Sequence, residues 1–190
     1  MATDRVTVTI DGGDKMNAYL AKLSQRITKK GSLSVGFLGG DDRAGSYPGG
    51  MGVAAVAAIQ EFGAPRAPGG AIPPRPYFRT MIAKQSPHWG GDLGHLLKAH
   101  NFDSEIALSL MGDNIRGQLQ ASIIELMAPP LSKVTLMLRK MKRQTNFVGS
   151  LTKVREARAR VAAGESVSGV STKPLVDSGH LLQSVDFRVD

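Results

Sequence analysis

Ile59-Gln60-Glu61-Phe62-Gly63-Ala64-Pro65-Arg66-Ala67-Pro68-Gly69-Gly70-Ala71-Ile72-Pro73-Pro74-Arg75-Pro76-Tyr77-Phe78-Arg79 is the stretch around which the rest of the chain is organised. Its first residues close an apolar helix that starts at Val53, and Gly63 can stop that helix in a left-handed conformation. A Gly/Pro linker follows. Ile72-Pro73-Pro74-Arg75-Pro76 is then expected to be an extended rod. Each Pro locks its own φ and pushes its predecessor towards extended geometry, so the rod is stiff without hydrogen bonds. Tyr77 starts a second helix, with Phe78, Met81 and Ile82 on one side. A stiff rod that carries an arginine suits docking better than catalysis.

Outward from this stretch, the N-terminal side reads as strand, helix, strand. Val6-Thr7-Val8-Thr9-Ile10 alternates and is β-branched, which predicts a short strand. Asp14 can cap a helix whose apolar stripe is Met16, Tyr19, Leu20, Leu23 and Ile27. Leu33, Val35 and Phe37 alternate with Ser32, Ser34 and Gly36 as a second strand with one buried face. Gly39 to Gly52 reads as a surface loop. It lacks the oxygen-ligand spacing of a calcium loop and the Gly-Lys-Ser/Thr ending of a phosphate loop.

On the C-terminal side, Pro87 and Gly90-Gly91 are expected to interrupt the helix that begins at Tyr77, and Leu93, Leu96 and Leu97 resume it. A long helix is expected from Asp103, its cap, to Met127, ended by Pro129-Pro130. Its apolar set is Ile106, Leu108, Leu110, Met111, Ile115, Leu119, Ile123, Ile124 and Met127. Gly112 and Gly117 inside it each weaken it by about 1 kcal/mol relative to Ala, which points to close contact with a sheet or another chain. Two more helices are expected, Leu131 to Gln144 and Leu151 to Ala163, the second ordering in an assembly. Asp177 or Ser178 can cap a one-turn helix before the alternating strand Val185 to Val189. The fold class these elements predict is α+β. A small antiparallel sheet packs against the long helix, with additional helices and an extended Gly/Pro-rich loop, in one domain spanning 1–190.

Composition narrows the chemistry. The 190 residues contain no cysteine, which removes disulfides, thiolate zinc sites and cysteine nucleophiles. No apolar run approaches membrane-spanning length and the N-terminus lacks a signal-peptide pattern, so a soluble protein made in a cytoplasm is expected. The formal net charge is +8. Lys133, Arg139, Lys140, Lys142, Arg143, Lys153, Arg155, Arg158 and Arg160 face only Glu156 within residues 133–160. Removing those nine bases and one acid from the totals of 24 and 16 leaves 15 of each. The entire excess is therefore concentrated in one segment, and concentrated charge suggests a partner of opposite sign.

Two groups of residues resemble a known family. One is Val56-Ala57-Ala58-Ile59-Gln60-Glu61-Phe62-Gly63 followed by Ile72-Pro73-Pro74-Arg75-Pro76-Tyr77-Phe78-Arg79. The other is Pro129-Pro130-Leu131-Ser132 followed at a distance by Lys173-Pro174-Leu175-Val176-Asp177-Ser178-Gly179-His180-Leu181-Leu182-Gln183-Ser184-Val185. Their order resembles the tail-completion and neck proteins of tailed bacteriophages, the phage virion morphogenesis or tail-component group, over most of the chain from about Leu33. The resemblance implies a structural virion protein rather than an enzyme. It would act at the head–tail junction as a ring of its own copies, a hexamer or dodecamer, docked to neck, connector or tail-tube proteins. In that family the Pro-Pro-Leu-Ser helix runs on quite soon to the Leu-Val/Ile-Asp-Thr-Gly segment. Here a cationic insertion, 139–172, lies between them, and the resemblance says little about it.

Candidate subunit or partner contacts are Arg75, Tyr77, Arg79 and Asp177. The arginines pair with acids on a neighbour, or pair within the chain or lie in solvent. Phe62, Tyr77 and Phe78 also read as core anchors. The basic contact residues are Arg139, Lys140, Lys142, Arg143, Lys153, Arg155, Arg158 and Arg160. They would meet DNA phosphate, independently of sequence and with steep salt dependence, or clamp onto an acidic protein, or form a solvated face. A sequence-independent nucleic-acid-binding protein using 133–160 is the alternative reading. His88, His95, His100 and His180 show no set of three converging metal ligands, and Asp177-Ser178-His180 is too local for a nucleophilic relay. No catalytic residue, metal or cofactor is expected.

Overall fold

The computed structural model describes residues 13–27, 31–38, 47, 50–65, 71–145 and 150–190. The strand expected at 6–10, most of the loop at 39–52 and the linker at 66–70 lie outside the described residues. Seven helices and two strands are described: α1 (Gly13–Ile27), β1 (Leu33–Gly36), α2 (Val53–Phe62), α3 (Tyr77–Ala99), α4 (Ser104–Glu125), α5 (Lys133–Thr145), α6 (Leu151–Ala162), α7 (His180–Gln183) and β2 (Asp186–Val189). The class is α+β, mostly helical, with a two-stranded antiparallel sheet. Leu33 pairs with Val189, Ser34 with Arg188, Val35 with Phe187 and Gly36 with Asp186.

α3 and α4 form the backbone of the body. Asn101 and Phe102, at φ 52° and 60°, turn the chain between them. Asp103 then caps α4, its Oδ1 accepting from the N–H of Glu105 at 3.1 Å and of Ile106 at 3.2 Å. Two bonds staple the pair: Trp89 Nε1 donates to Gln118 Oε1 at 2.9 Å, and Ser122 Oγ donates to the Tyr77 carbonyl at 2.7 Å. α3 runs unbroken through Pro87, against the expected interruption. A proline inside a helix costs about 3 kcal/mol. Here Met81, Trp89, Leu93 and Leu96 pack from both sides of that residue into the main core, and their burial offsets the loss.

The main core gathers Val53, Ala57, Tyr77, Met81, Met111, Ile115, Leu119, Ile123, Leu175, Leu181 and Val185, with Leu33, Val35 and Phe37 packed on it. α4 contacts both strands. Its buried residues, Ala107, Met111, Gly112, Ile115, Leu119 and Ile123, occupy one side. Ile106, Leu110, Gly117 and Ile124 fall on the opposite side at helical spacing, and the three large ones are exposed. The helix is therefore apolar on two faces, only one of which is covered by the described chain. α1 also leaves Met16, Tyr19 and Leu20 of its stripe exposed.

The two helical glycines differ sharply. A Cβ at Gly112 would overlap the Phe187 ring of β2, whereas one at Gly117 meets nothing within 4 Å. Gly112→Ala is expected to lose about 1–3 kcal/mol through overpacking. Gly117→Ala is expected to gain about 0.5–1 kcal/mol from propensity alone. Urea denaturation of the two variants checks the opposite signs.

A second, smaller core lies between α5 and α6, where Met137, Met141 and Ala157 are buried with Val134, Leu138, Val161 and Val167 around them. Most of the cationic insertion is thus a helical hairpin with its own apolar centre. α6 is folded in the single chain.

Candidate functional site

The rod is hydrogen-bonded, contrary to the expectation of a bare one. Gly63 ends α2 at φ 77°, its N–H donating to the Ile59 carbonyl. Ala64 and Ile72 then exchange both backbone bonds, at 2.9 and 2.8 Å, and Arg75 N–H donates to the Gln60 carbonyl at 2.8 Å. The returning rod lies so close that a Cβ on Gly63 would sit 2.7 Å from the Ile72 carbonyl oxygen. The described ends of the linker, Ala64 and Ile72, are thus welded together beside α2.

Glu61 makes the weld polar. Its side chain is buried, and its carboxylate reaches from α2 to the first turn of α3. There Oε2 accepts from Phe78 N–H at 2.9 Å, and Oε1 from Arg79 N–H at 3.3 Å and Arg79 Nε at 3.2 Å. α3 has no side-chain cap of its own at Pro76. Glu61 supplies that cap from 17 residues upstream, with its negative charge at the positive end of the helix dipole.

The rod's residues divide by direction, and two of the expected contacts are buried in the single chain. Tyr77 is buried: its Oη donates to the Ala57 carbonyl at 3.2 Å and its ring meets Phe37 edge-on at 6.4 Å. Desolvation there, with Glu61 nearby, raises its phenol pKa. Arg75 is only 5% exposed. Its Nη1 donates to Gln60 Oε1 at 3.1 Å. Burial lowers its guanidinium pKa and the neighbouring charge of Arg139 lowers it further. Neither residue presents a side chain to a neighbour in this conformation, because the bonds to α2 turn the rod inward. Arg79 does face out, with its guanidinium 5.4 Å over the Phe62 ring. Phe62, expected in the core, is 69% exposed, since Gly63 turns the chain away just beyond it.

The basic segment is largely engaged within the chain. Arg139 Nη1 donates to the carbonyls of Ser171 at 2.7 Å and Lys173 at 2.9 Å, and Nη2 to that of Pro174 at 3.3 Å. Its Nε lies 3.4 Å from Asp177. Lys140 pairs with Glu165 at 3.0 Å and bonds the Ser166 carbonyl, and Arg143 bonds the Gly169 carbonyl. Lys142 lies 3.6 Å from Asp177. Lys153 and Arg160 both bond Glu156, and these bonds hold its carboxyl below the usual range. Arg158 is engaged as well. Lys133 and Arg155 stand exposed. Asp177 is therefore an anchor for α5 rather than a helix cap. Ser178 makes the local contact instead, its Oγ accepting from His180 N–H at 3.4 Å.

No group of three or more His, Asp or Glu among the described residues could hold a metal ion. None of the described helices is long and apolar enough to cross a membrane. No protein-family model, no curated protein and no solved structure matches the chain.

Two features escaped the sequence reading. The trans cap by Glu61 depends on a contact between residues 17 apart. The outer face of α4 was legible in principle: Ile106, Leu110 and Ile124 do not share a face with Met111, Ile115 and Leu119 at 3.6 residues per turn.

Proposed function

We propose that this chain is a structural protein of a tailed-phage particle. It acts at the head–tail junction, as a tail-completion, neck or terminator component, by forming a ring of its own copies and docking to adjoining virion proteins. The observation that carries the reading is the apolar surface of the body. Ile106, Leu110 and Ile124 of α4, Met16, Tyr19 and Leu20 of α1, and Phe62 are large side chains left to solvent by a chain that buries its main core well. Apolar area of that kind marks interaction surfaces. Ring formation buries it by repeating one heterologous contact until it closes.

Light scattering on the purified protein over a range of concentrations, with electron microscopy of phage particles, tests the proposal. Closed rings, or the protein at the neck of particles, are the expected results. A chain that stays monomeric and is missing from particles would refute the assignment. A monomer that instead binds DNA tightly, with an affinity falling steeply in salt, would favour the nucleic-acid reading. The internal engagement of Arg139, Lys140, Arg143, Lys153 and Arg160 weighs against that outcome.

A further inference from the structure

α1 and the outer face of α4 are two exposed apolar surfaces of one chain, and they match in length, shape and charge. No described side chain of α1 is buried. Met16, Tyr19 and Leu20 are exposed, and Leu23 continues the same stripe one turn further on. A helix of 15 residues is marginal in water by itself, and such helices are stabilised by packing of their apolar face. α1 therefore needs a surface to lie on.

The outer face of α4 offers one. Ile106, Leu110, Asp113, Gly117 and Ile124 recur at helical spacing along one side of the helix. The three large apolar members are exposed, and a Cβ at Gly117 meets nothing within 4 Å. The middle of the face is thus a hollow between Leu110 and Ile124. From Ile106 to Ile124 the face is about 27 Å long, and α1 is about 22 Å long. The charges oppose each other. α4 carries Glu105, Asp113 and Glu125 against Arg116, whereas α1 carries Lys15, Lys22 and Arg26 against Asp14. Asp113 is the charged member of the α4 face; Lys15 and Lys22, both exposed on one flank of the α1 stripe, bring the opposite sign.

Both faces are exposed together in the single chain, so α1 does not lie along its own α4. We propose that α1 of one copy packs along the outer face of α4 in the next copy, with Leu20 seated over Gly117. The inference rests on the ring reading above and names the contact that would build the ring. Met16 and Leu23 stand one turn to either side of Leu20 and flank the hollow. The distance between packed helices follows the side chains at their crossing, and a glycine there lets the two axes come close. The contact is heterologous, because α1 meets α4 rather than another α1, so each copy offers one of each surface and the contact repeats until it closes.

The chain has no cysteine, so introduced thiols report cleanly. Leu20→Cys combined with Gly117→Cys replaces one large residue and one empty position by two small ones, which keeps the volume of the contact. A short bis-maleimide is expected to link this protein into a ladder of multimers on a denaturing gel. Each single variant is expected to run as a monomer, and the two mixed together to give dimers and nothing larger. Independently, Gly117→Leu fills the hollow. It is expected to weaken self-association in sedimentation by about 10-fold or more, with no fall in the melting temperature of the dilute chain. Absence of the ladder, linkage confined to one chain, a dimer from either single variant, or a Gly117→Leu protein that associates like its parent would each overturn the contact. If the parent still forms rings, the ring reading survives that failure. If the parent forms none and is missing from particles, both fall.

Discussion

Glu61→Ala is expected to lower the melting temperature by roughly 5–15 °C, with Glu61→Gln losing about half as much and Arg79→Ala less than either. The order matters more than the size. Glu61 is 5% exposed, and its carboxylate serves two backbone N–H groups at the start of α3. Hydrogen bonds to a charged group contribute about 1.5–3 kcal/mol, and a carboxylate at a partly buried helix N-terminus adds up to about 2. Together these give about 2–4 kcal/mol for the alanine variant. Glutamine keeps one acceptor and loses the charge. Arg79 has a side chain 54% exposed, so its ion pair is screened by solvent and contributes little by itself. Thermal melts of the three variants separate the two accounts. If Arg79→Ala melts as low as Glu61→Ala, the ion pair and not the cap holds α2 to α3.

The same residue shows what could and could not be read in the sequence. Local signals were legible. Asp103 caps the long helix, Gly63 stops α2, and the alternation of Leu33-Ser34-Val35 and Phe187-Arg188-Val189 marks a sheet with one apolar face. Each of these rests on contacts within a few residues or on a period. Glu61 looked like a polar position on an apolar helix, because its partners become neighbours only when the rod folds back. Arg75 failed for a related reason. A proline rod reads as exposed, yet the bonds from Ile72 and Arg75 to Ala64 and Gln60 press it onto α2. Pro87 failed in the other direction: local propensity argued for a break, and packing on α4 outweighed it. In the candidate contact surface, charge was easy to count and hard to place. A run of arginines looks the same whether it faces a partner or its own chain.

Arg139 makes that last distinction measurable. Arg139→Ala is expected to raise the rate of cleavage within residues 163–173 by about 30-fold, with little change in the main thermal transition. The Arg139 side chain is only 10% exposed. Its guanidinium fork holds the carbonyls of Ser171, Lys173 and Pro174 and faces Asp177, so it fixes the C-terminal part of the segment that leads back into the body, while Lys140 and Arg143 hold the part around Glu165 to Gly169. Losing three charge-assisted bonds is discounted here, because Asp177 and most of the segment are exposed and water can replace the fork. Relief of the repulsion between Arg139 and Arg75 offsets a little more. About 2 kcal/mol remains, which is the stated rate factor when cleavage follows the open population. The change should stay local because the buried residues of the α5–α6 core, Met137, Met141 and Ala157, are separate from the main core. Thermolysin, which cuts before Val167 and Val170, provides the readout. Arg139→Lys should rescue it poorly, since a compact ammonium lacks the guanidinium fork that reaches three carbonyls from two nitrogens. If the main transition falls together with the cleavage change, the hairpin is an integral part of the body. If neither moves, the positive segment is held by something other than its own charges, and its arginines become available to a partner after all.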